Sequence, residues 1–182
     1  MRISKSIIYL GLISLAGCTS LKVVTDQLEG TDFSKFRTYQ IMEPETVGGE
    51  KIYFNQLNRN RVKNVVKEQM EVRNYELAEE ADLNVHIYVK TETKMDVVPV
   101  PSARYGGYRY WGYESTGVRS YKEGTLIIDL VDVSSGNLVW HGVAVKTIDG
   151  PYKDMEERIR KVVVAIFDKY PYMAGPNTSE YQ

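Results

Sequence analysis

The chain is poor in the residues that most enzymes and nucleic-acid binders depend on. It has one cysteine and two histidines in 182 residues. A single thiol excludes an internal disulfide. His86 and His141 have no companion at metal-ligand spacing, and no metal site is expected. No glycine-rich phosphate loop and no Gly-x-Ser-x-Gly elbow occurs, so no nucleotide cofactor or hydrolase nucleophile is expected. Asp129 and Asp132 stand beside a turn and read as a solvated acidic pair. An excess of one charge is missing as well: 23 basic side chains face 24 acidic ones, a net charge of -1. No global field draws the chain to RNA or DNA. Beyond residue 16, no run is apolar enough to span a bilayer. These absences lead us to expect a protein that is not an enzyme and carries no cofactor.

What is present begins at the N-terminus. Arg2 and Lys5 precede the apolar run IIYLGLISLA over residues 7–16. A run of ~10 residues is half the length of a membrane span and reads as the core of a secretory signal peptide. It ends in Leu15-Ala16-Gly17-Cys18, which resembles the bacterial lipobox. That resemblance implies cleavage after Gly17 and a diacylglyceryl group on the Cys18 sulfur. It also implies acylation of the new N-terminus, commonly with palmitate. Two or three acyl chains anchor a protein far better than one, at ~0.8 kcal/mol per buried CH2. Residues 1–17 are thus expected to be removed, and 18–20 to form the lipidated cysteine and its tether. Cleavage takes Arg2 and Lys5 away, leaving a mildly acidic domain that gains nothing from an anionic surface. The lipid is the expected membrane partner. Thr19, where an aspartate would favour the inner membrane, leans toward the outer membrane, facing the periplasm.

The rest of the chain, 21–171, reads as one domain. Residues 21–25 and 37–42 are short β-rich runs. Asp32-Phe33-Ser34-Lys35-Phe36 is a turn in which Asp32 and Ser34 cap local amides. Residues 43–51, with Pro44, Gly48 and Gly49, read as loop. Over 55–73 the apolar positions Leu57, Val62, Val65, Val66 and Met70 have helical spacing, closed by the stem of Arg73. Asn55 fits its N-cap and Asn74 a left-handed C-cap. Residues 81–93 alternate, with Leu83, Val85, Ile87 and Val89 on one face and Asn84, His86, Tyr88 and Lys90 on the other. Residues 120–133 and 138–148 form a hairpin across Ser134-Ser135-Gly136-Asn137. A second helix over 154–170 has Met155, Ile159, Val162, Val163, Ile166 and Tyr170 on its stripe, and Pro171 ends it. Residues 172–182 form a polar, flexible tail. The order β-β-α-β-β-β-α predicts an α+β fold: a two-layer sandwich, mostly antiparallel, with two helices on one face.

Several of these pieces together resemble the bacterial lipoproteins of the domain of unknown function 4136 family. They are the lipobox, Asp32-Phe33-Ser34, Thr38-Tyr39, Ala81-Asp82-Leu83, Gly124-Thr125-Leu126 with Asp129 and Asp132, the run 135–142 (SGNLVWHG), and Tyr170-Pro171. The chain departs from that pattern in two places. Gln40-Ile41 stands where a tryptophan is common, and Arg73-Asn74-Tyr75 stands where Lys-Gly-Tyr is common. Physical reasons attach to several of the residues. Gly136 supplies a positive φ. Trp140 buries a large area, and Gly142 leaves room beside it. The resemblance implies a fold and an envelope location, and no activity.

Residues 95–118 have no sustained period and read as a long Tyr/Gly-rich loop. Gly106, Gly107 and Gly112 loosen it. Arg104, Tyr105, Tyr108, Arg109, Tyr110, Trp111 and Tyr113 supply flat rings and cations, and are the candidate partner-binding residues. Sugars stack on such rings, arginine holds carboxylates, and a lipid interface accepts Tyr and Trp. The function expected is binding of another envelope component, protein or glycan. The alternatives are a structural or stress-related envelope protein with no small ligand and, last, a hydrolase of unknown type. The oligomeric state is open.

Overall fold

The clean alternation that starts at Leu83 becomes the central strand of a sheet. A computed structural model describes residues 21–48, 54–99, 116–148 and 154–175. Seven strands and two helices follow in the order β1 (Lys22–Gln27), β2 (Thr38–Ile41), β3 (Glu45–Thr46), α1 (Gln56–Glu71), β4 (Glu76–Leu77), β5 (Leu83–Pro99), β6 (Thr116–Asp132), β7 (Leu138–Ile148) and α2 (Met155–Phe167). Across the sheet the order is β1-β7-β6-β5-β2-β4, with β3 also on β5. The four long or medium strands pair antiparallel. The short β2, β3 and β4 pair parallel. Two helices with a mostly antiparallel mixed sheet make the fold α+β.

Five expectations need correction. The order gains β3 and β4, each of two residues. Strands this short carry no period, and long-range partners make them: β3 lies along Tyr88 and Val89, and β4 along Thr38 and Tyr39. Leu57 is 65% exposed, and Asn58 occupies the buried position in that turn of α1. Arg73 lies beyond α1 and donates to the Phe167 and Tyr170 carbonyls. It ties the end of α1 to the end of α2 by hydrogen bonds as well as by its stem. The helix α2 stops at Phe167, itself fully buried, while Tyr170 is buried beyond the helix end. Finally, the ends of the expected 95–118 loop are strand. Every residue of 95–99 pairs with one of 116–120 in the β5–β6 ladder. Met95 and Val97 do alternate with Asp96, but Pro99 and Gly117 mask a signal that pairing makes real. The remainder of that loop, and with it Arg104 to Tyr113, lies outside the described residues.

The core forms where side chains of α1 and α2 pack with those of the sheet. Val62, Val65, Val66 and Met70 of α1, and Val163, Ile166 and Phe167 of α2, join Leu83, Val85, Ile87, Ile128 and Leu130 in one cluster. Trp140 is its largest member, 1% exposed, set edge-on to Tyr170. A Cβ on Gly142 would stand 2.5 Å from Trp140 Cη2 and 2.6 Å from Ile166 Cγ2, so the glycine is required by space. Asn55 caps α1 by accepting from the Asn58 amide. Asn74 has φ 64°, the left-handed conformation that its short polar side chain tolerates. Gly136 takes φ 70° in the β6–β7 turn.

Candidate functional site

Three carboxylates among the residues that carry the family resemblance, Asp32, Asp82 and Asp132, lie at one end of the sheet. Asp32 accepts from the Ser34 amide and hydroxyl. Asp82 accepts from the Arg37 and Thr38 amides and the Thr38 hydroxyl, whose oxygen accepts the Asp82 amide in return. Asp132 is 4% exposed. It accepts from Lys35 Nζ at 2.9 Å, the Ser134 amide at 2.9 Å and the Ser134 hydroxyl at 2.7 Å. Burial alone would raise its pKa, but the hydrogen bonds from Lys35, Ser134 and Ser135 outweigh it and hold the carboxyl well below the usual range. Asp132 is therefore not a solvated partner of Asp129. The two have opposite parity on β6, so they point to opposite faces. The hydrogen bonds that these three carboxylates accept come from nearby amides, hydroxyls and one lysine, and they fasten the chain locally.

Among the described residues, neither helix contributes to the other face of the sheet. Its side chains fall in rows that the register fixes. One row is Asp26–His141–Asp129–His86. His141 Nδ1 lies 2.5 Å from Asp129 Oδ1. A carboxylate only accepts, so this nitrogen carries the proton. The His86 ring stacks on Tyr88, with centroids 6.2 Å apart. The next row is Val24–Val143–Ile127–Tyr88, with Glu45 of β3 beside Tyr88. Burial, then Glu45 and Asp129, pushes the Tyr88 phenol up, so it stays a neutral donor. The third row is Lys22–Val145–Thr125–Lys90. Val24 is 52% exposed, and Ile127, Val143 and Val145 are partly exposed. An apolar strip thus runs across the open face, with acids and imidazoles on one side and lysines on the other. The polar side of this face was legible in the 81–93 alternation. The apolar strip was not. Its signal was the unbroken run Leu126-Ile127-Ile128, which marks a strand apolar on both faces.

A third feature lies at the end remote from Asp132. The pairing of β7 with β6 ends at Ile148–Lys122, and that of β3 with β5 ends at Thr46–Val89. Among the described residues, β5 and β6 continue alone to Pro99–Thr116 as a two-stranded ribbon. On its helix-side face Met95, Val97 and Val118 are 73%, 71% and 70% exposed. Its other face carries Lys94, Asp96, Arg119 and Tyr121. Below the ribbon, an apolar cavity of about 150 Å³ opens between the helices and the sheet, walled by Phe54, Val62, Leu126, Ala144 and Ile159, with Lys146 and Arg158 at its edge. Among the described residues no group of three or more His, Cys, Asp or Glu could hold a metal ion. Cys18 lies outside the described residues.

A family model described as "Domain of unknown function (DUF4136)" matches residues 23–172. No curated protein matches the chain. Among solved structures, the PelC dodecamer from Paraburkholderia phytofirmans is 11% identical, with a TM-score of 0.47, over 86% of this chain and 100% of that one. A PDZ domain protein from Parabacteroides distasonis is 14% identical, with a TM-score of 0.47, over 85% of this chain and 37% of that one. Lipoprotein GNA1162 from Neisseria meningitidis is 11% identical, with a TM-score of 0.39, over 71% and 96%.

Proposed function

The chain belongs to the DUF4136 family, whose description assigns no activity, and we propose that it is a lipid-anchored envelope protein that docks another envelope protein on the open face of its sheet. The Cys18 thiol takes the lipid, and Thr19 favours the periplasmic side of the outer membrane. Among the described residues no helix is long and apolar enough to cross a membrane. The observation that carries the docking reading is the Val24–Val143–Ile127–Tyr88 strip, partly exposed in the middle of a sheet face on which, among the described residues, no helix packs. Partly exposed β-branched side chains in a continuous strip gain by losing water to a partner. The flanking rows set its chemistry: an apolar ridge with basic groups to meet Asp26 and Asp129, and acidic groups to meet Lys22 and Lys90. The role is non-enzymatic. The His141–Asp129 pair stands in a row with His86 and Asp26 beside the apolar strip, and the hydroxyl in that strip, on Tyr88, has its pKa raised and stays a neutral donor.

A photo-crosslinking residue at Val143, with Glu79 as control, tests this reading in intact cells. The expected result is a discrete adduct from position 143 only, destroyed by protease and unaffected by muramidase. Reversing both flanking lysines (Lys22→Glu with Lys90→Glu) should weaken it several-fold. A muramidase-sensitive smear would assign the face to glycan. No adduct from a folded, membrane-bound protein would remove the docking role.

A further inference from the structure

We infer that the β5–β6 ribbon lies in the membrane interface, with Met95, Val97 and Val118 against lipid, so that the domain is held by the bilayer at two points. The inference rests on the reading of Cys18 as the lipid anchor. Its basis is topology. The strand β7 is antiparallel to β6, which is antiparallel to β5, and β1 is antiparallel to β7. Hence β1 starts at the end of the sheet from which the ribbon projects. Lys22, Val145, Thr125 and Lys90 form one row across the four strands. Cys18 is four positions before Lys22 and reaches at most about 13 Å past that row, even fully extended. Pro99 is nine positions past Lys90, so the ribbon reaches about 30 Å past the same row. The anchor therefore gets no farther out than the level of Lys94. Met95, Val97 and Val118 lie beyond it. A bilayer that accepts acyl chains at Cys18 and lies across the strand direction meets the ribbon.

The ribbon suits that position. Two strands alone are marginal in water and need a surface to lie on. One face offers Met95, Val97 and Val118, each more than two-thirds exposed. The opposite face carries Lys94, Asp96 and Arg119, with Asp96 directly across from Arg119. An amphipathic element of this kind buries its apolar side at the acyl boundary and leaves its charges among headgroups and water.

Spin labels can measure this. Lipidation occupies Cys18, so a cysteine introduced by Val97→Cys, Val118→Cys or Ser135→Cys is the sole free thiol. Ser135 is exposed in the β6–β7 turn at the opposite end. The full-length lipidated protein is placed in phosphatidylethanolamine/phosphatidylglycerol vesicles, and collisions with oxygen and with a polar nickel chelate are compared. The ratio of oxygen to nickel accessibility should be several-fold higher at 97 and 118 than at 135. Equal ratios in a protein whose Cys18 peptide has the triacyl mass would overturn the inference and leave the anchor intact. A Cys18 peptide without lipid would overturn both. Dipolar broadening between copies at 97, undiminished in Cys18→Ser protein without vesicles, would give the ribbon to a second chain and also overturn it.

Discussion

At Leu83 and Asp132 the β5–β6 hairpin is the middle of a sheet, and at Pro99 and Thr116 it is a two-stranded ribbon. The first end is flanked by β2 and β7 and covered by both helices. It is also stitched by carboxylates: Asp82 to the start of β2, and Asp132 to Lys35 and the following turn. The second end shows three large apolar side chains to its surroundings. Of the residues that carry the family resemblance, Asp32, Thr38, Asp82, Asp132, Gly136 and Trp140 belong to the packed end and its core, whereas Thr125, Asp129 and His141 lie on the open face. The first group builds the domain, and the ribbon lies at the other end of the sheet. The opposed environments of Asp129 and Asp132, three residues apart, make the same point within one strand.

The comparison can be broken from the packed end first. Trp140→Ala should cost ~3–5 kcal/mol, as truncation of a buried aromatic does, read as a shift in a denaturant midpoint. A loss below ~1 kcal/mol would place Trp140 outside the core and the register of β7 in error. Gly142→Ala should cost ~1–3 kcal/mol, because the new methyl meets the Trp140 ring and Ile166 in a filled space.

Asp132→Asn should cost ~1–3 kcal/mol at neutral pH, since Lys35 and the Ser134 donors lose their charged acceptor. The effect has a definite pH sign. A carboxyl held below its unfolded value of ~3.9 stabilises the fold above that value and ceases to do so as pH falls through its folded value. The gap between wild type and variant should therefore be widest at pH 7 and close below pH 4. A gap that stays constant through this range would mean that the ionised form is not what the corner holds.

Much of the packed end was legible from sequence. Period-two alternation over 81–93, helical spacing from Val62 to Met70, and the Ser-Ser-Gly-Asn turn each announce a local structure whose cause is local. The two-residue strands β3 and β4 were not legible, because their cause is a partner distant in sequence. Leu57 and Asn58 exchanged roles because helical spacing gives a stripe but not its edge. The ribbon was hidden for another reason: exposed Met95 and Val97 produce the same alternation as buried residues, and Pro99 and Gly117 flank them like loop residues. For the open face, His86, Tyr88 and Lys90 could be placed from the sequence. The apolar strip needed the register of three further strands.

A smaller test concerns Asn74. With φ 64° it occupies a position where glycine is unstrained. Asn74→Gly should be neutral or stabilising by a few tenths of a kcal/mol, and Asn74→Ala should cost ~1 kcal/mol. Thermal melts of the two variants check this, and equal melting temperatures would deny the left-handed cap.

Hydrogen exchange compares the two ends directly. In the full mature chain with Cys18→Ser, free in solution, the amides of 95–98 and 117–120 should exchange within seconds. Those of Val85, Ile87 and Ile128 should exchange only through global unfolding. In the lipidated protein on vesicles the first group should slow by an order of magnitude or more, and the second should not change. If the ribbon exchanges equally fast in both states, or is already as protected as the sheet centre in the soluble chain, the division between a built end and a membrane-dependent end does not exist.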